Sequence, residues 1–340
     1  VSGAAIPATL AGRLWLYQAE RFPLAKHSVA IAALAFAGVG LPAFFREPLG
    51  AESLLEALAQ LSSSSAITRL GSLFSGAAAS SVAFIVVLLF FLQLRVADEH
   101  KDADADRRFR PERPVPRGLV ELKELRWIAF GAAALQASLA YALNPSLLIP
   151  LALTWGWMAL MTVEFFAPRT LKARPVLYLV SHMAIMPLIA WFAVACGLTN
   201  AKDAFATAPL PVTFVAFLVF AFASGTGLEI ARKSWAPEQE REGVETYSKL
   251  WGPRAASAAV IAAIASGFVL VCFIFFFADF SIWFSAAAAA PAALGAGAAY
   301  AYGARPTPRR AETLERNVGL WAFATAGLLA FAAVMRVFLL

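Results

Sequence analysis

The chain has 340 residues, 60% hydrophobic and only 15% charged, with a formal net charge of +6. Its mean hydropathy of +0.69 excludes an ordinary soluble domain, and the lack of periodic alternating strands argues against a membrane β-barrel. Backbone groups in lipid must be satisfied within their own segment, so the expected fold is an all-α integral membrane protein, one transmembrane helical domain over 1–340.

Residues 1–27 contain "AGRLWLYQAERFPLAKH", a mix of aromatics and bases suited to an interfacial helix. Nine apolar stretches of spanning length follow, at 28–45, 78–97, 119–142, 146–166, 175–197, 210–230, 254–278, 281–302 and 317–339. Between the first two, residues 47–71 place Leu54, Leu55, Leu58 and Leu61 at helical spacing, which predicts a short amphipathic helix on the outer surface. The bases set the orientation. With the N-terminus cytoplasmic, every Lys and Arg of the 28 except Arg46, Arg69, Lys202 and Arg336 falls in a cytoplasmic segment. The expected setting is therefore an inner or plasma membrane. The positive charge is read as membrane-surface charge, and no nucleic-acid partner is expected, since no motif for one is present. Cys196 and Cys272 lie in or near apolar runs and read as small buried residues. Three histidines are too few for a histidine-built metal cluster.

At 95–118 the chain leaves its second apolar run as "RVADEHKDADADRRFRPERPVPRG". If the helix continues past Leu94, then Glu99, Asp102 and Asp106 share one face at i, i+3, i+7, with Asp98 one turn before Asp102. Like charges on one face repel. A hard divalent cation such as Mg²⁺, which takes oxygen ligands from one or two carboxylates plus substrate phosphates, would relieve them. The alternative is a solvated helix end of mixed charge. Three prolines then forbid further helix, and the returning loop carries Arg107, Arg108, Arg110, Arg113 and Arg117. Guanidiniums facing metal-holding carboxylates would make a diphosphate site.

This stretch resembles the first signature of the UbiA superfamily of intramembrane prenyltransferases, NDxxDxxxD followed by RP-x-P-x-G. Asp98 stands at the Asn position, Glu99, Asp102 and Asp106 at the three Asp positions, and Arg113–Pro114 at the RP. The resemblance implies nine transmembrane helices with acidic signatures at the cytoplasmic ends of the second and sixth. It also implies Mg²⁺ held by Asp98, Glu99, Asp102 and Asp106, with Asp102 and Asp106 catalytic.

The second signature, expected within 229–254, departs from the family pattern. Gly243, Thr246 and Gly252 fit its tail, and Glu229 stands where the first Asp would be, but Arg232 and Lys233 follow it. Either Glu229 and one of the later glutamates, Glu238, Glu240 or Glu242, support a second metal, or Arg232 and Lys233 contact the diphosphate directly; a purely solvated loop is the alternative. In the loop after span four, Pro168, Arg169, Lys172 and Arg174 loosely resemble a family stretch that contacts diphosphate; ordinary positive-inside anchoring is the alternative. Glu164 and His182 sit within apolar helices near their cytoplasmic ends. Ionisable groups there are expensive and usually face a cavity, so they are candidate catalytic residues that meet the acceptor, or a structural pair.

The expected function is Mg²⁺-dependent transfer of an isoprenyl group from a prenyl diphosphate to an aromatic or lipid acceptor in the bilayer, at a site facing the cytoplasm. Three alternatives keep the architecture. They are phosphoribosyl transfer from phosphoribosyl diphosphate to polyprenyl phosphate, a transporter using Glu164 and His182, and a non-catalytic membrane subunit.

Overall fold

A computed structural model describes residues 7–45, 66–199 and 211–339 of the chain. Among these residues the structure is helical throughout, without strands. Helix α1 (Leu10–Arg21) begins at an N-cap Thr9, whose hydroxyl accepts from the Gly12 amide. It is followed by α2 (Leu24–Gly40), which tightens into a 3₁₀ turn at Leu41–Phe45. The outer amphipathic segment expected at 47–71 lies outside the described residues up to 65, and from 66 the chain is already helical. Helix α3 (Ala66–Lys101) and the short α4 (Ala103–Phe109) carry the first acidic stretch. Next come α5 (Leu122–Leu143), α6 (Leu148–Thr162), α7 (Pro168–Lys172), α8 (Pro175–Met183) and α9 (Ile185–Leu198). The series ends with α10 (Val212–Arg232), α11 (Tyr247–Trp251), α12 (Pro253–Phe277), α13 (Ile282–Ala304) and α14 (Pro308–Leu339).

Eight helical stretches among the described residues are long and apolar enough to cross a membrane. They match the expected spans except the third. Helix α5 stands in that place and has 22 residues, but Lys123, Glu124 and Arg126 charge its first turns and Gln136 sits mid-helix. Gln136 is fully buried. Its amide donates to the Val86 carbonyl at 3.0 Å and its oxygen accepts from the Trp155 indole at 3.0 Å. This polar link between helices is the form a buried amide takes where no water can satisfy it.

The long helices pack in a closed circuit. Each touches the next in chain order, α8 and α9 counting as one broken span, and α14 returns to α2. Contacts of α9 with α2 and of α10 with α14 fill the middle. The centre is aromatic, with Phe90, Phe192, Phe217, Phe220, Phe275 and Trp321 fully buried. Large apolar side chains such as Trp127, Phe130, Ile149, Phe276 and Trp283 face outward, as lipid-facing positions do. Cys196 is buried, Cys272 partly so, and both are free thiols.

Lipid tails are as apolar as the side chains, so helix association relies on close packing over small residues. At Gly38 of α2 a Cβ would stand 2.6 Å from the Cβ of Ala193 and 3.2 Å from the Val194 nitrogen of α9. Gly38→Val should destabilise the purified protein by about 1–3 kcal/mol through overpacking. Gly297→Ala, where a Cβ meets nothing within 4 Å, should leave the thermal midpoint in detergent unchanged.

Candidate functional site

The charged segments gather at one end of the bundle. There the first acidic stretch is not one continuous face. Asp102 (φ −89°, ψ 0°) interrupts the helix between α3 and α4, and the carboxylates around it meet different partners. Glu99 is turned toward α1 and is 1% exposed, with Arg21 Nε 2.5 Å from its Oε1. Asp106 is equally buried between Arg110 Nη2 and Arg113 Nη1, each at 2.7 Å. Asp98 and Asp102 stay open, with side chains 50% and 45% exposed; Arg95 and Arg110 stand off at 3.5 and 3.9 Å. Partial burial, then the charges of Asp98 and Asp106, raise the Asp102 carboxyl from its ordinary value.

The proline-rich loop after α4 folds as a run of turns, with Gly118 at φ +77°. It docks α1. Arg117 donates both its terminal nitrogens to Glu20 at 2.8 Å, a bidentate pair that holds the Glu20 carboxyl below its ordinary value. Arg13 reaches Glu124 of α5 at 2.6 Å and the Leu119 carbonyl at 3.2 Å.

Glu229, at the end of α10, is held by Arg232 at 2.5 Å and Lys233 at 2.9 Å, so each of its oxygens has a cation. That carboxylate keeps the Lys233 ammonium protonated, raising its pKa. Further on, the Thr246 and Ser248 hydroxyls both donate to Glu240 at 2.7 Å, while Glu238 and Glu242 are exposed. Gly243 (φ +71°) lies against the ring of Phe109, leaving no room for a Cβ, and Arg241 pairs with Glu112 at 3.0 Å. The two signature loops therefore touch.

Between the α7–α8 segment and the second signature lies a small cavity lined by Lys172, Tyr178, Lys233, Glu245, Thr246 and Tyr247, among others. Arg174 is exposed and is not part of that lining. Beside the cavity, Lys101 gathers a buried polar cluster. Its Nζ lies 3.0 Å from Glu164 Oε1, 2.6 Å from the Tyr178 hydroxyl and 3.3 Å from His182 Nε2. His182 stacks on the Tyr178 ring at 3.9 Å. Glu164 is placed there by an unusual turn. Glu164, Phe165 and Phe166 all have positive φ (48°, 52° and 58°), a conformation costly for side chains of this size. The second oxygen of Glu164 is buried without a hydrogen-bond partner. The structure thus joins Glu164 with His182 and Lys172 with Lys233, and sets Glu99 on one cation and Asp106 and Glu229 on two each.

Four site residues escaped the sequence reading: Arg21, Lys101, Tyr178 and Tyr247. Two had a visible signal. Tyr178 precedes His182 by one helical turn, and Lys101 stands among the acids of the first stretch.

The sequence model of the UbiA prenyltransferase family matches residues 57–323. The chain belongs to the UbiA prenyltransferase family. Its fold is similar to that of a solved structure from work on digeranylgeranylglyceryl phosphate synthase in membranes. The TM-score is 0.58 at 16% identity, over 95% of this chain and 99% of that one. It is also similar to the apo structure of a UbiA homologue from Aeropyrum pernix K1, at 0.57 and 15%, over 92% and 98%. No curated protein matches the chain.

UbiA enzymes typically use divalent metal ions. The open pair Asp98 and Asp102 fits one such ion, since Mg²⁺ is commonly held by one or two carboxylates and completed by water and substrate phosphate. Among the described residues no three acidic, histidine or cysteine side chains converge on a common point. Glu229, with both oxygens committed, does not fit a second.

Two outcomes follow from the ion pairs. Arg21→Ala strands the buried Glu99 charge and should cost roughly 3 kcal/mol of stability; adding Glu99→Gln should restore most of it, read by thermal unfolding in detergent. Because the Glu20 carboxyl is lowered in the folded chain, its pair with Arg117 stabilises above the ordinary carboxylate range. That contribution is lost as pH falls through the lowered value. Protection factors for hydrogen exchange in α1, taken relative to the intrinsic rate at each pH, should fall on acidification, and Arg117→Ala should show the lower protection already at neutral pH.

Proposed function

We propose that this UbiA-family chain transfers an isoprenyl group from a prenyl diphosphate to a hydrophobic or aromatic acceptor within the membrane, at a site on the cytoplasmic side. The observation that carries this reading is the closeness of Asp98 and Asp102 to Arg232, Lys233 and Tyr178, the last two of which line a cavity with Lys172. Carboxylates and cations brought together in this way suit a diphosphate.

In the reaction the bond between the allylic carbon and the diphosphate oxygen breaks, and its electron pair leaves with the diphosphate. The acceptor nucleophile forms the new bond to that carbon and gives up a proton. Lys172 and Lys233 hold the leaving group and stabilise its growing charge. A divalent cation on Asp98 and Asp102 supplies further charge neutralisation when bound. Arg113 acts indirectly here, since it is committed to Asp106. Glu164 takes the acceptor's proton through its unpartnered oxygen, with Lys101 fixing the other one. His182 and Tyr178 orient Lys101. The concentration of ionisable groups at the rim of the bundle, with an aromatic centre, speaks against a transport path through mid-membrane.

The test uses the full chain in detergent with labelled prenyl diphosphates and Mg²⁺. Diphosphate release that Asp102→Asn abolishes supports the assignment. Glu164→Gln should lower product formation by about 10²-fold or more while leaving donor binding intact. Release from phosphoribosyl diphosphate alone would replace the donor assigned here, and cation uptake by proteoliposomes without turnover would replace the enzyme with a transporter.

A further inference from the structure

The acidic side chains at the charged rim divide into committed and open ones. Glu99 is neutralised by Arg21, Asp106 by Arg110 and Arg113, and Glu229 by Arg232 and Lys233. Glu240 is bound by two hydroxyls of its own loop. Asp98 and Asp102, on the α3 side, keep loosely held carboxylates, as does the outward Asp104 between them and the proline-rich loop. On the α10 side the balance is reversed. Two cations share one carboxylate there, so the end of that helix carries a net positive charge, and its Lys233 reaches the cavity, which Glu245 also lines.

The geometry points to a diphosphate site that takes one divalent cation, on the Asp98 and Asp102 side, with Lys233 and Arg232 supplying from the α10 side the charge a second cation would bring. This rests on the diphosphate reading above and gives its electrostatic layout.

Three features of the structure carry it. Lys233 lines the cavity together with Lys172 and the hydroxyl-bearing Tyr178, Thr246 and Tyr247, and its side chain stays partly exposed while its ammonium pairs with Glu229. Asp102 lies within electrostatic range of Lys233, and Asp98 of Arg232, so the cationic helix end and the open acidic pair are neighbours. Glu229 uses its two oxygens at i, i+3 and i, i+4 to hold both side chains at the helix end, which makes it a positioning residue for them. A second divalent ion in that place would meet two fixed cations and a carboxylate with no free oxygen. A flexible ammonium and a planar guanidinium instead bring donors that match phosphate oxygens without a metal.

The experiment uses the full chain in detergent, Mn²⁺ as a paramagnetic stand-in for Mg²⁺, and inorganic pyrophosphate as the anion. Electron paramagnetic resonance at saturating pyrophosphate should count one bound Mn²⁺ per chain. Lys233→Met should weaken pyrophosphate binding by about tenfold or more, the loss of one charged hydrogen bond. It should leave the affinity for Mn²⁺ alone unchanged, and Lys233→Arg should recover most of the pyrophosphate affinity. Asp102→Asn should remove the bound Mn²⁺ instead. Two Mn²⁺ ions per chain, or pyrophosphate binding indifferent to Lys233→Met, would overturn the inference. So would a wild-type chain that binds no pyrophosphate. Prenyl transfer is scored separately: two ions with transfer intact overturns only this layout. One ion with Lys233-dependent pyrophosphate binding but no transfer overturns the assigned reaction and leaves the layout standing.

Discussion

A carboxylate taken out of water at the end of an apolar bundle must find a cation, and this requirement organises the charged rim. Breaking such a pair strands a charge in a medium that cannot screen it, at a cost of several kcal/mol, whereas forming it gains little over an apolar contact. The pairs therefore act through placement more than through net stability. Arg21 on Glu99 and Arg117 on Glu20 fix α1 across the first signature. Arg110 and Arg113 fold the proline-rich loop back over Asp106. Lys101 draws Glu164 inward from a turn whose three positive φ angles would not persist without such a partner.

Below the rim the bundle offers no comparable direction. Its helices meet through aromatic rings and small residues, and most of its outward side chains are as apolar as those inside. Dispersion and close fit hold such helices together but leave their register loosely specified. Register is set where polar groups must be matched: Gln136 to Val86 and Trp155 within the core, and the ion pairs at the end. The same matching leaves Asp98 and Asp102 with distant partners, in range of Lys233, which lines a cavity with Lys172. Unmatched charge next to matched charge is what a polar ligand can use.

The first acidic stretch was legible because seven-residue carboxylate spacing followed by prolines and arginines has few structural explanations. Its internal assignments were not legible. Helical phase placed Glu99, Asp102 and Asp106 on one face, but Arg21, from a helix nearly eighty residues earlier, committed Glu99, and Arg110 and Arg113 committed Asp106. Periodicity describes one helix and carries no information about which foreign side chain will reach it. Glu164 and His182 stood out as ionisable groups in apolar runs, while Lys101, their common partner, was hidden among the acids of another motif.

The sequence alone determined that the chain is a bundle of membrane helices, where those helices lie, and that its charges collect outside them. Hydrophobic length and the lipid's refusal of unpaired backbone groups fix these outcomes locally, residue by residue. Tertiary structure decided which charges cancel. Pairing depends on distances of a few ångströms between segments far apart in the chain, and electrostatic energy in a poor solvent falls steeply with such distances and with exposure. Whether Glu229 faces a metal or its own two neighbours is a matter of rotamers and packing at one helix end, and no spacing rule in one dimension contains it.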